Sequence, residues 1–409
     1  MVARRHVFYS AGFDPIDGAA QHRRFRRESA KYGRIWNLKV DVADIGVVTA
    51  SPTEPAIESW QVETHAPNWQ TQTKVELLDW QDIVRGEIAR PAIVHVLKGL
   101  VTFADFVFSG TTKRYFELFW PYGLFFLTPY FHVFANIAIS TTLGVIASGY
   151  VAENDLVSIA TFVVAFCISF AVLFRWPGDR FHVRRALADW NFARDFMYGR
   201  QPEMDARLDQ FAARIVAAAR ANDCDEILIV GHSLGAQMSL VVLARAMERD
   251  PELYRHGPRI CLLTVGSTIG KLALHPAARY LRVCAEKLGA ANGLAWSEFQ
   301  ARRDSISFFR LDPVALKKFK GDQTGERPFI RLIGIKDMMM PDTYRKNWLR
   351  HMRLHYQFVM GNEKRSLYDF FMFVCGPADF VQLSRTGNGA EDLFAPDGSF
   401  HPERARLLP

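Results

Sequence analysis

Two long uncharged runs in the middle of the chain limit what this sequence can fold into more than any other feature. Residues 118–152 contain no Asp, Glu, Lys or Arg, and the same is true of residues 156–174. A helix that spans a bilayer needs about 20 predominantly apolar residues. Soluble cores rarely contain uncharged runs of this length. We therefore predict a transmembrane helical hairpin with spans at about 122–147 and 156–174.

The charges around these runs predict the orientation of the hairpin. The connection 148–155 contains Glu153 and Asp155 but no Lys or Arg. Because Lys and Arg are retained on the cytoplasmic side, the connection should face away from the cytoplasm and both flanks should face it. A two-span hairpin returns the chain to the side that it left, so the two soluble halves can fold together. The basic residues of the flanks are Lys113, Arg114, Arg175, Arg180, Arg184 and Arg185.

The segment that precedes the hairpin, residues 89–109, is apolar but contains Lys98 and Asp105. This pattern is typical of an amphipathic helix. Such a helix either packs in a core or lies on the bilayer surface, and the sequence leaves both alternatives open.

The composition argues against several classes of protein. With 49% hydrophobic and 23% charged residues, the chain is neither disordered nor collagen-like. A net charge of +7 is too modest to suggest nucleic acid as a partner. The five cysteines have no metal-binding spacing and suggest a reducing compartment, so we expect no metal and no cofactor.

Strand and helix patterns alternate along the two soluble halves. Predicted strands cover 5–10, 39–50, 74–80, 227–230, 259–265, 305–310 and 329–335. Predicted helices cover 21–32, 202–222, 234–248, 277–288, 343–360 and 367–374. This alternation predicts an α/β fold with a doubly wound, mostly parallel sheet that is interrupted by the hairpin. The predicted parts are 1–112 and 186–375 for the α/β domain, 113–185 for the hairpin with its flanks, and 376–409 for a polar, irregular tail.

The sequence Gly231-His232-Ser233-Leu234-Gly235 follows a buried strand without a gap and begins a helix. In such a tight turn the serine has a strained backbone, and the two glycines let strand and helix approach closely. The turn exposes the hydroxyl above the sheet edge, next to the free N–H groups of the helix N-terminus. Ser233 is therefore the candidate nucleophile, and His232 is expected to be a packing residue.

A nucleophilic serine requires a base, and the base requires an acid that orients it. We seek the acid after Ser233, at the C-terminal end of a later strand. Asp312 follows the predicted strand 305–310 and is the preferred candidate, with Asp337 after the next strand as the alternative. Asp304 precedes the predicted strand, which would place it at the wrong end of the sheet.

The base should follow the acid in the chain. His351 and His355 are four residues apart and can share one face of a helix, whereas His401 lies in the predicted tail. His355 is the preferred base and His351 the alternative. An oxyanion hole needs two N–H donors, for which we predict the amides of Leu234, directly after the nucleophile, and Phe13, in the Ala11-Gly12-Phe13 loop after the first strand.

These motifs resemble the α/β-hydrolase superfamily. The Gly-His-Ser-Leu-Gly form is most similar to that of its lipase and esterase members, and the resemblance covers roughly 1–112 and 186–375. It implies Ser233, Asp312 and His355 as the triad, and hydrolysis of an ester, thioester or amide through an acyl-serine. The chain departs from the superfamily in two ways: a membrane hairpin is inserted, and the early loop reads Ser-Ala-Gly-Phe-Asp where His-Gly is usual.

Two classes of function remain open at this point. The first is a membrane-anchored serine esterase or lipase on the cytoplasmic face, with a lipid or another amphiphilic ester as its substrate. The second is a non-catalytic membrane protein that uses the hydrolase fold as a binding or scaffold module. The order of serine, acid and histidine along the chain favours the enzyme.

Overall fold

The chain divides into two compact units, and the second is inserted into the sequence of the first. The computed structural model describes residues 1–48, 57–151, 155–324 and 327–408. The first unit is formed by Met1–Val84 together with Gln201–Pro409, and the second by Arg85–Arg200. The inserted unit is thus longer than the predicted segment 113–185, because it also contains the helices on either side of the hairpin.

A nine-stranded, mostly parallel sheet forms the centre of the first unit. Its order is β2-β4-β5-β1-β6-β7-β8-β9, and β3 pairs with β4. Neighbouring strands are parallel in the part β5-β1-β6-β7-β8-β9 of this order. Strand β4 pairs antiparallel with β2, β3 and β5. The strands are β1 (Arg4–Ser10), β2 (Lys39–Val42), β3 (Gly46–Val48), β4 (Ile57–Ala66), β5 (Trp69–Leu77), β6 (Glu226–His232), β7 (Arg259–Val265), β8 (Leu294–Ala301) and β9 (Phe329–Ile333).

The α-helices follow the strands in the first unit and make up most of the second. They are α1 (Gly18–Trp36), α2 (Gln81–Ala89), α3 (Ala92–Phe108), α4 (Thr111–Gly149), α5 (Asp155–Arg180), α6 (Val183–Met197), α7 (Pro202–Ala221), α8 (Leu234–Arg249), α9 (Ile269–Ala273), α10 (Arg279–Ala290), α11 (Ile335–Met338), α12 (Pro341–Asn347), α13 (His351–Tyr356), α14 (Phe370–Cys375), α15 (Phe380–Arg385) and α16 (Ala390–Leu393).

The elements with the clearest sequence patterns lie where they were predicted. The apolar run of β6 is buried along its whole length, as expected for a central parallel strand. Helix α7 begins at Pro202 and buries the predicted apolar positions, and its C-cap Asn222 has φ 49°. The predicted mixed α/β architecture is confirmed. The predicted strand 39–50 is divided between β2 and β3, and its residues 49–50 lie outside the described chain.

One strand prediction is wrong, and it affects the site. Residues 305–310, all of them described, form bends and not a strand. The strand between β7 and β9 is β8, which is almost entirely buried and contains Glu298 and Gln300. The carboxylate of Glu298 accepts hydrogen bonds from the side chains of Gln300 and of Thr264 in β7. These hydrogen bonds offset the free-energy cost of burying the polar groups. Burial raises the pKa of Glu298 to about 7.

The C-terminal residues were predicted to form an irregular polar tail, but they are part of the packed unit. They contribute α15 and α16, and several of their apolar side chains lie in the core next to the sheet. Arg331 of β9 donates hydrogen bonds to the carbonyl oxygens of Ser384 and Thr386. The buried apolar residues of this segment include Phe380, Leu383, Leu393, Phe394 and Phe400.

The second unit contains two helices, α4 and α5, that are long and apolar enough to cross a membrane. Within the most hydropathic stretch of α5, no residue is buried by protein. The two helices pack on each other: a Cβ at Gly144 would lie 2.8 Å from the ring of Phe162. Asn136 also donates a hydrogen bond to the carbonyl of Phe170 at 3.2 Å. Small residues and interhelical hydrogen bonds of this kind are typical of membrane helix pairs.

The hairpin helices extend beyond the predicted spans, and the connection between them is only partly described, since residues 152–154 lie outside the described chain. Helix α4 contains Pro121 and Pro129, and its kink is at Phe119, which has φ −154° and ψ 90°. Pro121 lacks the N–H that a helix would need at that turn. The break therefore lies at the start of the predicted span, and Pro129 lies inside the helix.

Candidate active site

Ser233 occupies a strained turn between β6 and α8. Its backbone has φ 57° and ψ −125°, in a region that costs a non-glycine residue about 1–3 kcal/mol. Its N–H donates to the carbonyl of Val265, the last residue of β7, at 3.2 Å. The side chain is half-buried, so it remains accessible at the C-terminal edge of the sheet. The turn thus has the geometry predicted from the sequence.

Three glycines make this turn possible. A Cβ at Gly231 would lie 2.5 Å from Cα of Ala236, and one at Gly235 would lie 2.2 Å from the carbonyl oxygen of Ser10. A Cβ at Gly12 would lie 2.7 Å from Cβ of Ser233. Real Cβ atoms do not come this close to other heavy atoms, so strand, helix and the 11–13 loop approach each other only because these residues are glycines.

His355 lies on α13 and is bound to a carboxylate. Its Nδ1 is 2.7 Å from Oδ2 of Asp304, and the two side chains are 2% and 0% exposed. The same carboxylate accepts hydrogen bonds from the N–H of Ile306 and the hydroxyl of Ser307. When Nδ1–H donates to a carboxylate, Nε2 is left as the basic nitrogen. Nε2 of His355 is buried and makes no hydrogen bond to any described residue.

The imidazole of His355 lies at the same sheet edge as Ser233. Gly266 follows the residue that accepts the Ser233 N–H, and a Cβ there would lie 3.2 Å from Cε1 of His355. Nε2 of His232 is 3.2 Å from the carbonyl oxygen of His355, and the two rings are 4.7 Å apart. Burial and the neighbouring His355 lower the pKa of His232 well below its usual value, so His232 is neutral and can donate from Nε2. His232 therefore supports the position of His355, as a packing residue.

The carboxylate at His355 belongs to Asp304, whereas Asp312 was the predicted partner. Asp312 accepts hydrogen bonds from the N–H groups of Val314 and Ala315 at 2.8 and 2.9 Å and closes a local turn. Asp337, the alternative, is exposed in α11. The difference from the predicted pairing follows from the misplaced strand: since β8 ends at Ala301, Asp304 is the carboxylate that directly follows its C-terminal end.

His351, the alternative base, is directed elsewhere. Its Nδ1 is 2.8 Å from the hydroxyl of Ser305, and the residue is exposed. His351 and His355 share helix α13, as expected, but only His355 reaches the buried carboxylate.

The Ala11-Gly12-Phe13 loop, for which an oxyanion role was predicted, lies close to Ser233. The N–H of Asp14 donates to the carbonyl of Gly12 at 2.7 Å, which makes a tight turn. The indole N–H of Trp80 donates to the carbonyl of Ala11 at 3.1 Å, and its ring packs on that of Phe13. Leu234 is buried as the first residue of α8. The loop that contains Phe13 and the helix N-terminus that contains Leu234 therefore both lie next to Ser233.

A second contact, which the sequence did not reveal, connects this loop to the histidine helix. The hydroxyl of Tyr356 donates to Oδ2 of Asp14 at 2.7 Å. The guanidinium of Arg24 lies 3.4 Å from the same carboxylate and 5.2 Å from the centre of the Tyr356 ring. Asp14 ends the 11–14 loop, and Tyr356 directly follows His355 in α13. The hydrogen bond between Tyr356 and Asp14 therefore fixes the distance between this loop and α13.

The described residues contain no group of three His, Cys, Asp or Glu side chains that could hold a metal ion. Comparison with known protein families, curated proteins and solved structures gave no match to this chain.

Proposed function

We propose that this chain is a membrane-anchored serine hydrolase of the α/β-hydrolase type, with a doubly wound sheet, that cleaves an ester or related acyl bond. One observation carries the proposal: Ser233 has a strained, positive-φ backbone at the end of a central strand, and a buried His355–Asp304 pair lies at the same edge of the sheet. A plain strand-to-helix turn needs neither the strain nor the buried pair. Strain of this kind persists where a functional side chain has to be presented.

In the proposed reaction, Oγ of Ser233 attacks the carbonyl carbon of the substrate while its proton passes to Nε2 of His355. Asp304 stabilises the resulting imidazolium through its hydrogen bond with Nδ1. The amides of Leu234 and Phe13 stabilise the oxyanion of the tetrahedral intermediate. As the intermediate collapses, Nε2 returns the proton to the leaving alcohol and an acyl-serine remains.

Water completes the cycle by the same route. His355 takes a proton from the attacking water, the second tetrahedral intermediate forms, and the proton returns to Oγ of Ser233 as the acid is released. No metal or cofactor takes part in this scheme.

The substrate class follows from the membrane association. Two membrane-spanning helices keep the chain at a lipid phase, where amphiphilic esters are concentrated, so we propose a lipid or similar amphiphile as the substrate. The basic residues at both ends of the hairpin support a cytoplasmic location for the proposed catalytic residues.

A pair of fluorophosphonate probes tests both the chemistry and the side of the membrane. In intact cells that express the protein, a membrane-permeant probe should label it, and peptide mapping should locate the label on Ser233. A charged, impermeant probe should label it only after the cells are broken. Heat-denatured protein is the control for non-specific labelling.

This experiment tests the membrane orientation and the hydrolase chemistry separately. Labelling of intact cells by the impermeant probe would show that the catalytic residues face outward, while the hydrolase proposal would stand. Failure of both probes on native, folded protein would contradict the hydrolase and favour the non-catalytic binding module.

Replacing Gly12 tests the proposed oxyanion loop. The new Cβ of Gly12→Ala would lie 2.7 Å from Cβ of Ser233, so the loop and its amide must move away. Loss of one oxyanion donor costs about 100–1000-fold in kcat, and we expect a loss in that range for hydrolysis of a short p-nitrophenyl ester. Gly86→Ala is the matched control, because a Cβ there meets nothing within 4 Å. A Gly12→Ala variant with near wild-type kcat would show that the loop has no role in the reaction.

A further inference from the structure

Helix α3 (Ala92–Phe108) has one face packed in protein and one row of large apolar side chains exposed. The packed face contains His95, Val96, Gly99, Thr102 and Phe106. The exposed row consists of Ile93, Leu97, Val101 and Phe108, which are 58%, 58%, 53% and 88% exposed. Spacings of four and seven residues place these side chains on one side of the helix. A contiguous apolar row in a protein surface marks a contact with a membrane or a partner.

The two ion pairs of α3 and the hydroxyl of Thr102 are directed to α6 and fix the rotation of the helix. Lys98 lies 2.7 Å from Asp195, and Asp105 lies 2.7 Å from Arg194. Between them, the hydroxyl of Thr102 is 2.8 Å from the side-chain oxygen of Asn191. The charged residues that made this segment ambiguous in the sequence are therefore paired on the α6 side. The apolar row is held away from α6 by the same contacts.

Helix α3 also lies next to the hairpin in sequence and in structure. Only Ser109 and Gly110 separate it from α4, and Gly110 makes the turn with φ 74°. Its Phe106 packs against Phe126 of α4 and Trp190 of α6, so α3 belongs to the same compact unit as the two candidate spans. Lys113 and Arg114, at the start of α4, supply positive charge that suits anionic headgroups.

We infer that α3 lies in the plane of the membrane at the cytoplasmic interface, with Ile93, Leu97, Val101 and Phe108 inserted among the acyl chains. The inference rests on the membrane association of the hairpin and not on the hydrolase chemistry. An orientation across the bilayer is disfavoured for two reasons. The 17 residues of α3 extend only about 26 Å, less than the hydrocarbon thickness of about 30 Å. Its ion pairs at Lys98 and Asp105, about 10 Å apart along the axis, would both have to be inside the hydrocarbon.

Spin-label depth measurements test the inference with the full chain in vesicles of phosphatidylcholine and phosphatidylglycerol. Cys167 is exposed and is replaced by Ser, while the other four cysteines are buried and remain. A nitroxide is attached through single substitutions Ile93→Cys, Leu97→Cys, Val101→Cys and Phe108→Cys. For each nitroxide we measure the collision rate with oxygen, which partitions into lipid. We also measure its collision rate with a nickel chelate, which partitions into water. Ile168→Cys in α5 is the lipid-exposed reference and Glu286→Cys in α10 the water-exposed reference.

For an in-plane helix, all four α3 positions should favour oxygen over nickel, at a shallow depth that is nearly equal from Ile93 to Phe108. A transmembrane α3 would instead give depths that change by up to about 22 Å over those 15 residues, at 1.5 Å per residue. That gradient would overturn the in-plane orientation. A nickel-accessible pattern like that of Glu286→Cys would show that the row faces water. Labels shielded from both reagents would show that protein covers the row, and either result would overturn the inference.

Discussion

Ser233→Ala should lower kcat for hydrolysis of a short p-nitrophenyl ester by about a million-fold in the full-length protein in vesicles. Removing the nucleophile of a serine hydrolase eliminates the covalent route and costs about this much, because the triad acts as one unit. The substitution deletes one oxygen from a half-buried residue and keeps all the glycines of the turn, so the fold should persist.

Ser305→Ala is the control for this prediction. Ser305 lies beside Asp304 in sequence but binds His351, outside the proposed machinery, so its loss should leave kcat within a few-fold of wild type. Equal unfolding temperatures for wild type and both variants would exclude misfolding. If Ser233→Ala hydrolyses the ester at a rate near that of the wild type, the serine hydrolase proposal is wrong.

Asp304→Asn should cost about 10,000-fold in kcat, whereas Asp312→Asn should change it only a few-fold. An amide at position 304 can keep the 2.7 Å contact with Nδ1 of His355, but it cannot stabilise an imidazolium and it favours the wrong tautomer. Asp312 lies in a local turn with Val314 and Ala315, so its substitution should affect stability more than catalysis.

Steady-state kinetics of both variants, measured on one preparation in vesicles, decides between the two carboxylates. The double variant Ser233→Ala with Asp304→Asn should be no slower than Ser233→Ala alone, since members of a triad do not contribute additively. The opposite ranking, with Asp312→Asn inactive and Asp304→Asn active, would restore the assignment made from the sequence.

The parts of the site that the sequence predicts are those with a local physical cause. The turn at Ser233 follows from an apolar strand and from the two glycines, Gly231 and Gly235, that flank the serine in the chain. The hairpin follows from the length of its two uncharged runs alone. Both features are encoded in continuous segments of the chain. The same reasoning found the Gly12 loop, because its position after the first strand is also a local property.

The sequence did not predict the carboxylate that binds His355, because the position of that carboxylate depends on pairing across the sheet. Strand β8 contains Glu298 and Gln300, which resemble surface residues until their partner Thr264 on β7 is known. A strand whose polar side chains are paired across strands does not show the continuous apolar run of a buried parallel strand. Because β8 was not recognised, residues 305–310 were predicted to be the strand, and the acid was sought after residue 310 and not after Ala301. The bridge from Tyr356 to Asp14 joins residues 342 positions apart and has no local signal.

The order of the strands has a consequence for how the protein is made. Strand β1 lies between β5 and β6, yet β6 begins more than 200 residues after β1 ends, and both hairpin helices are translated in the interval. At about 5–20 residues per second, β6 emerges from the ribosome roughly 10–40 s after β1. The N-terminal half-sheet is therefore synthesised with one edge of β1 open, and that edge is a template for pairing with other chains. Prompt delivery of the hairpin to the membrane insertion machinery would hold the nascent chain apart from its neighbours until β6 closes the sheet.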